Sequence, residues 1–147
     1  MAAKEDTWIL VANSTFARIF RVEKRGAMKE VEVIEHREGR KHEKDLASDK
    51  PGRAFESFGN GRSALEVKTS MKKQEFAAFA KLLSDRLESA RLKGQFTRLF
   101  LAANPTFLGL LRTVLTPSTI GLIAGEVDKD ITHLDEETII SHFPYIS

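Results

Sequence analysis

Cysteine, long apolar runs and a strong excess of one charge are all missing from this chain of 147 residues. Without cysteine the protein forms no disulfide, and zinc sites built on thiolates are excluded. The longest apolar runs, such as 8–12, are far too short to cross a membrane. The N-terminal residues are charged, and the apolar stretch of a signal peptide does not follow them. We therefore expect a cytoplasmic protein without a membrane span. The net charge of +2 does not by itself favour a polyanionic partner.

The remaining composition is that of a folded soluble protein, with 41% hydrophobic and 30% charged residues. A chain of this length fits one domain of ordinary size and can bury a single core. It contains no internal repeat and no second domain that we can identify. We therefore predict one domain over residues 1–147.

The first part of the chain predicts three β-strands. Residues 7–13 are nearly all apolar, which is typical of a strand buried on both faces. Asn13 and Ser14 favour a turn, and residues 16–22 predict a second strand in a hairpin with the first. Residues 30–35 alternate between charged and apolar side chains, which predicts a half-exposed third strand.

The second half predicts alternating helices and strands. Residues 71–93 form the clearest helix, because the apolar side chains from Phe76 to Ala90 recur on one face. Ser70 is its expected N-cap, and Gly94 its expected stop. The pattern further predicts strands over 96–103 and 120–127, a short helix over 106–115 after Pro105, and a closing helix over 136–142 capped by Asp135. This order favours an α/β class with a mixed sheet flanked by helices.

The segment 36–66 differs in composition from the rest of the chain. Between residues 36 and 64 it holds seven Lys or Arg residues, five Asp or Glu residues and four of the nine glycines, with few large apolar side chains. We interpret it as a long irregular loop. A loop of this length in a compact domain is usually either functional or disordered.

Several segments resemble, in chain order, the bacterial host attachment protein family. They are the opening hairpin at 8–20, the Ser-Asp-Lys-Pro-Gly-Arg segment within 48–57, the glycine-containing segment 59–66, the strand-to-helix turn at 103–112 and the C-terminal segment 126–133. Asn60 departs from a usual run of glycines, and Ser63 stands where histidine is common. The resemblance implies an RNase H-like fold with a mixed five-stranded sheet, similar to the middle domain of archaeal and eukaryotic class-one translation release factors.

The resemblance also implies a comparison with the Gly-Gly-Gln loop that release factors insert into the peptidyl transferase centre. The corresponding loop here has Gly59, Gly61 and Arg62, whereas the glutamines, Gln74 and Gln95, lie elsewhere. We therefore expect a non-enzymatic binding module whose loop faces RNA or the ribosome. Two alternatives stay open: a hydrolase acting on peptidyl-tRNA or a related ester, and a protein-interaction or adhesion factor that supports attachment to host cells.

The leading candidates for binding are the basic, aromatic and glycine residues of this loop. They are Lys50, Arg53, Phe55, Phe58, Gly59, Asn60, Gly61 and Arg62. The glycines permit close backbone approach, the cations would neutralise phosphates, and each phenylalanine that stacks on a base would contribute about 1–3 kcal/mol. A basic cluster near the end of the main helix would extend this surface: Arg86, Arg91, Lys93 and Arg98. The alternative is a flexible loop with solvated charges and aromatic rings folded back on the core.

A secondary group of candidates lies near the C-terminus. It consists of Asp128, Lys129, Asp130 and His133. With Glu126, the alternate carboxylates suggest a site for a hard cation, and His133 suggests proton transfer. We favour a plainer interpretation, a charged strand end in which Asp130 or Thr132 caps a turn. The first strand offers no acid for a two-metal nuclease, and we expect neither a metal nor a cofactor.

Overall fold

A computed structural model of the chain describes residues 6–36, 61–144 and 146, and for residues 25 and 61–70 it describes the backbone alone. The strands are β1 (Thr7–Ala12), β2 (Phe16–Val22), β3 (Met28–Glu35), β4 (Arg98–Ala103) and β5 (Ile123–Val127). The helices are α1 (Gly61–Leu92), α2 (Pro105–Val114), α3 (Pro117–Ile120) and α4 (Glu136–Ser141), with a 3-10 turn at Lys24–Gly26.

The strands form one sheet in the order β3-β2-β1-β4-β5. The hairpin partners β1 and β2 are antiparallel, as are β2 and β3, whereas β4 runs parallel to both β1 and β5. Strand β1 therefore lies at the centre, and all six of its residues are buried. The predicted mixed five-stranded sheet of an α/β protein is confirmed.

Each face of the sheet carries its own hydrophobic core. On one face α1 and α2 cover alternate residues of β1, such as Trp8 and Leu10, with Phe79 and Phe107 from the helices. On the other face Ile9 belongs to a smaller core that α4 and the chain after β5 complete. Period-two alternation along β1 thus divides one apolar strand between two cores.

Helix α1 begins ten residues earlier than its apolar pattern predicts. The expected N-cap at Ser70 is wrong, and so is a loop that extends to residue 66, because residues 61–70 are helical. This stretch contains the good helix formers Ala64, Leu65 and Glu66. Apolar periodicity indicates only the part of a helix that faces a core, so it did not predict residues 61–70 of α1.

Helix α1 carries an exposed stretch ahead of the part that packs on the core. At 1.5 Å per residue its 32 residues span about 48 Å, whereas the eight residues of β3 span about 26 Å. Residues 71–74 are all exposed, and four consecutive residues cover every side of a helix. The first buried side chain of α1 in the described residues is Phe79. We call residues 71–74 the projecting segment.

The remaining boundaries follow local capping. Asn104 accepts a hydrogen bond from the Phe107 N–H at 2.8 Å and starts α2, with Pro105 in the first turn as predicted. Strand β5 starts at Ile123 rather than at residue 120, because Thr116 caps the short helix α3. The predicted cap of α4 is confirmed, since Asp135 accepts from the Thr138 N–H at 2.8 Å.

Candidate functional site

The leading candidates fall largely outside the described residues. Lys50, Arg53, Phe55, Phe58, Gly59 and Asn60 all lie within 37–60. Gly61 and Arg62 are the first two residues of α1, so the helix and not a loop carries them. The binding interpretation for these eight residues stays a prediction.

The secondary candidates follow β5 and lie where this strand and β1 end. Asp128, Lys129, Asp130 and His133 are all exposed. Asp130 reaches the end of β1, where the Asn13 side-chain N–H donates to its Oδ2 at 3.1 Å. Asn13 lies 117 residues away along the chain, so only the fold brings the two side chains together.

The carboxylate of Asp130 is engaged through both oxygens. Its Oδ1 accepts the Thr132 N–H at 3.0 Å and the Thr132 hydroxyl at 2.6 Å, while Oδ2 accepts from Asn13. Partial burial raises the pKa of Asp130, but the bonds from Thr132 and Asn13, with the charge of His133, outweigh it and lower that pKa below its usual value. An ionised aspartate with hydrogen bonds to both oxygens serves as a turn cap, which agrees with the plainer interpretation.

Arg18 completes this cluster and was missed by sequence reasoning. Its guanidinium donates to the carbonyls of Thr132 and Leu134 at 3.0 and 2.8 Å, and to Glu30 at 2.8 Å. Alternation along β2 places Arg18 on the same face as Phe20, whose ring it covers at 4.8 Å. The sequence did offer one signal for Arg18, namely that it is a cation on a strand face that is otherwise apolar. Arg18 and Asp130 together fasten the segment after β5 to the sheet.

The carboxylates near β5 do not converge. Glu126 pairs with Arg112 of α2, whereas Asp130 turns toward Asn13. In the part of the chain that the structure describes, no three His, Asp or Glu side chains are grouped so as to hold a metal ion.

The sequence profile of a family described as "Protein required for attachment to host cells" matches residues 8–143. The chain belongs to this family. The family resemblance of the hairpin and of the later segments is therefore confirmed. No curated protein matches the chain. Among the described residues, no helix of this host attachment family member is both long and apolar enough to cross a membrane.

The basic cluster predicted near the end of α1 is partly neutralised in this host attachment family member. Arg86 pairs with Glu32 at 2.6 Å, and Arg91 pairs with Glu88 within α1. The first of these ion pairs holds α1 to the edge strand β3, and the second stabilises the last turns of the helix. The cluster consequently offers less unpaired charge to a phosphate than its sequence suggests.

The projecting segment is exposed and directly follows the basic residues of the sequence along the chain. Lys72 and Lys73 are exposed there, and the Lys72 ammonium lies 5.6 Å from the centre of the Phe76 ring. Where α1 reaches the sheet, His36 Nε2 contacts Glu75 Oε2 at 2.8 Å. The main-chain N–H of His36 also donates to the Thr15 carbonyl at 2.9 Å. These contacts fix the point at which the projecting segment leaves the core.

Proposed function

We propose that this host attachment family member is a non-enzymatic binding module whose basic segment faces RNA or the ribosome. One observation carries the proposal, namely the uneven distribution of charge along the chain. Residues 37–73 contain ten basic and six acidic residues, a net charge of +4, whereas the remaining residues carry a net charge of −2. A polyanion recognises such a local excess even when the whole protein is nearly neutral.

The geometry of α1 supports this proposal. The projecting segment carries Lys72 and Lys73 on its exposed surface and is continuous with the basic residues that precede it. Because residues 71–74 are exposed and pack on nothing in the core, they are accessible to a large partner. The His36–Glu75 contact gives the segment a defined origin on the sheet.

The strand order supports a likeness to RNase H-like domains and to the release factor middle domain. Three antiparallel strands at one side and two parallel strands at the other give the mixed sheet that this likeness requires. The self-contained hydrogen bonding of Asp130 favours binding over hydrolysis. The absence of Gly-Gly-Gln from the sequence favours it as well.

The second candidate is a role in attachment to host cells, which the description of the family favours. It is tested by deleting the gene and measuring adhesion of the cells, with surface labelling of the protein on intact cells. Surface exposure together with lost adhesion supports a direct role. Lost adhesion without surface exposure supports an indirect role that a binding module in the cell would fulfil.

The test of RNA binding uses a fluorescently labelled single-stranded RNA and its anisotropy at several salt concentrations. We expect the double substitution Lys72→Ala with Lys73→Ala to weaken binding. It should also reduce the slope of log affinity against log salt by about 0.7 for each phosphate that the protein no longer neutralises. The matched control replaces Lys24 and Lys29 with alanine. Both are exposed, but Lys24 lies before the edge strand β3 and Lys29 lies on it. Equal effects of the two double substitutions would contradict the proposed position of the binding surface.

A further inference from the structure

Phe76 follows the projecting segment on α1 and is only half-buried. The apolar pattern of the sequence predicts it as the first residue of the helix face that packs on the core. In the described part of the chain, however, Phe76 belongs to neither hydrophobic core, and the face enters the core only at Phe79 and Ala80. The ring of Phe76 therefore keeps apolar surface that a partner can cover.

Lys72 and Lys73 share a side of α1 with this ring. They precede Phe76 by four and three residues, which are the spacings that bring side chains together on one helix face. The ammonium of Lys72 lies over the Phe76 ring, 5.6 Å from its centre. Because Lys72 is exposed and an exposed cation–π contact is weak, this lysine can move aside when a partner approaches the ring.

The two lysines carry charge that the protein does not neutralise. Among the residues that the structure describes, neither Lys72 nor Lys73 forms an ion pair. The nearest carboxylate along the chain, that of Glu75, contacts His36 at 2.8 Å. The arginines of the basic cluster near the other end of α1 are, by contrast, paired with carboxylates. The beginning of the described part of α1 thus combines two unpaired cations with a partly exposed aromatic ring.

This combination matches the chemistry of an unpaired nucleotide. Aromatic side chains bind single strands by stacking on their bases, and neighbouring cations bind the phosphates. A base within a duplex is already stacked on its neighbours, so its face is not available to a protein side chain. An acidic peptide would bind the lysines but brings no base to stack on the ring.

We propose that Phe76 stacks on an unpaired base of single-stranded RNA while Lys72 and Lys73 bind the adjacent phosphates. The inference rests on the proposed function and specifies the form of RNA that the basic segment recognises. When the base occupies the face of the ring, Lys72 leaves that face and contacts a phosphate. A polyanion without bases engages the lysines alone.

The experiment measures the fluorescence anisotropy of a labelled single-stranded oligouridine and of an abasic oligomer with the same sugar-phosphate backbone. We expect Phe76→Leu to weaken oligouridine binding by roughly fivefold or more, because the stacking on one base is lost. Binding of the abasic oligomer should be unchanged. The slope of log affinity against log salt should also be unchanged, because the ring neutralises no phosphate.

Two further variants separate stacking from folding. Phe76→Tyr keeps an aromatic ring and should keep the wild-type affinity for oligouridine. Phe143→Leu makes the same change as Phe76→Leu at a ring that is buried in the core on the other face of the sheet. It should lower the melting temperature and leave RNA binding unchanged. Melting curves of all three variants identify any loss of folding.

The outcomes distinguish this inference from the proposed function. Oligouridine binding that Phe76→Leu does not weaken, or an equal loss of affinity for both oligomers, would overturn the stacking of a base on Phe76. The proposed function would still stand in either case, since the protein would still bind RNA. Failure of the wild-type protein to bind either oligomer at low salt would overturn both.

Discussion

Asp130 joins two distant parts of the chain by accepting three hydrogen bonds from Asn13 and Thr132. The sequence predicted that a residue at this position caps a turn, because aspartate commonly bonds to the backbone two residues ahead. It did not predict Asn13 as a partner, since only the parallel arrangement of β1, β4 and β5 brings their ends to one edge. The local turn cap could therefore be predicted from the sequence, whereas the long-range partner Asn13 could not.

We predict that Asp130→Ala lowers the free energy of unfolding by about 1–2 kcal/mol, because Asn13 and Thr132 lose an acceptor. RNA binding should be unchanged. Urea unfolding and RNA anisotropy of the same preparation measure both quantities. A variant with normal stability and abolished RNA binding would assign Asp130 to the binding surface.

Glu88 makes a comparable connection between α1 and the cap of α3. Its carboxylate accepts from Arg91 on α1, from the Thr116 hydroxyl at 2.5 Å and from the Thr119 hydroxyl at 3.2 Å. The hydrogen bond from Arg91, followed by that from Thr116, lowers the pKa of Glu88 from 4.5 to about 2. In the sequence, Arg91 stands out only as one of the basic residues near the end of the main helix, and no local pattern connects this part of α1 with Thr116.

We predict that Glu88→Gln destabilises the protein at pH 7 and that the difference from the wild type shrinks in acid. The folded-state pKa of Glu88 lies below its usual value of 4.5, so the ionised carboxylate stabilises the fold above that pH. This contribution is lost as the pH falls from 4.5 toward 2. Urea unfolding between about pH 2 and pH 7 measures it.

Asp85→Asn is the matched control for this pH series. Asp85 lies on the same helix and forms an exposed ion pair with Lys81 at 3.1 Å, and such pairs contribute little to stability. We expect a small effect at every pH. A Glu88→Gln effect that stayed constant down to about pH 2 would contradict the assignment of this stabilisation to the carboxylate charge.

At the scale of elements, the strands that bury a continuous apolar run were predicted closely. The boundaries of β2 agree with the predicted residues 16–22, and β1 ends one residue before the predicted strand does. The start of α1 was not predicted, because the apolar stripe of this helix begins only at Phe76. The parallel pairing of β1 with β4 also could not be predicted, because a single sequence does not indicate which strands pair unless they form a hairpin.

We predict that Thr69→Pro removes about ten residues of helix from the far-UV circular dichroism signal. It should leave the midpoint of global unfolding unchanged. Proline disrupts the interior of a helix at a cost of about 3 kcal/mol, but the described buried side chains of α1 begin only at Phe79. The matched control is Leu82→Pro, where the side chain is exposed but the helix covers the sheet. Equal destabilisation by both substitutions would mean that the first turns of α1 pack on the protein.

At the scale of the whole molecule, a nearly neutral net charge conceals two regions of opposite sign. The first 36 residues are balanced, residues 37–73 are basic, and the remainder carries a net charge of −2. The fold anchors the end of the basic region at the His36–Glu75 contact and leaves residues 71–74 accessible. The composition predicted a basic segment, but only the structure shows that its residues 61–73 are helical and that residues 71–73 are exposed.

The most direct test of the central claim is sedimentation of the protein with ribosomes through a sucrose gradient at low and at moderate salt. We predict that the wild-type protein migrates with a ribosomal subunit at low salt and is released as the salt rises. The double substitution Lys72→Glu with Lys73→Glu should stay at the top of the gradient under both conditions. The protein remaining at the top at low salt, or migrating equally well with both lysines reversed, would contradict a basic segment that faces the ribosome.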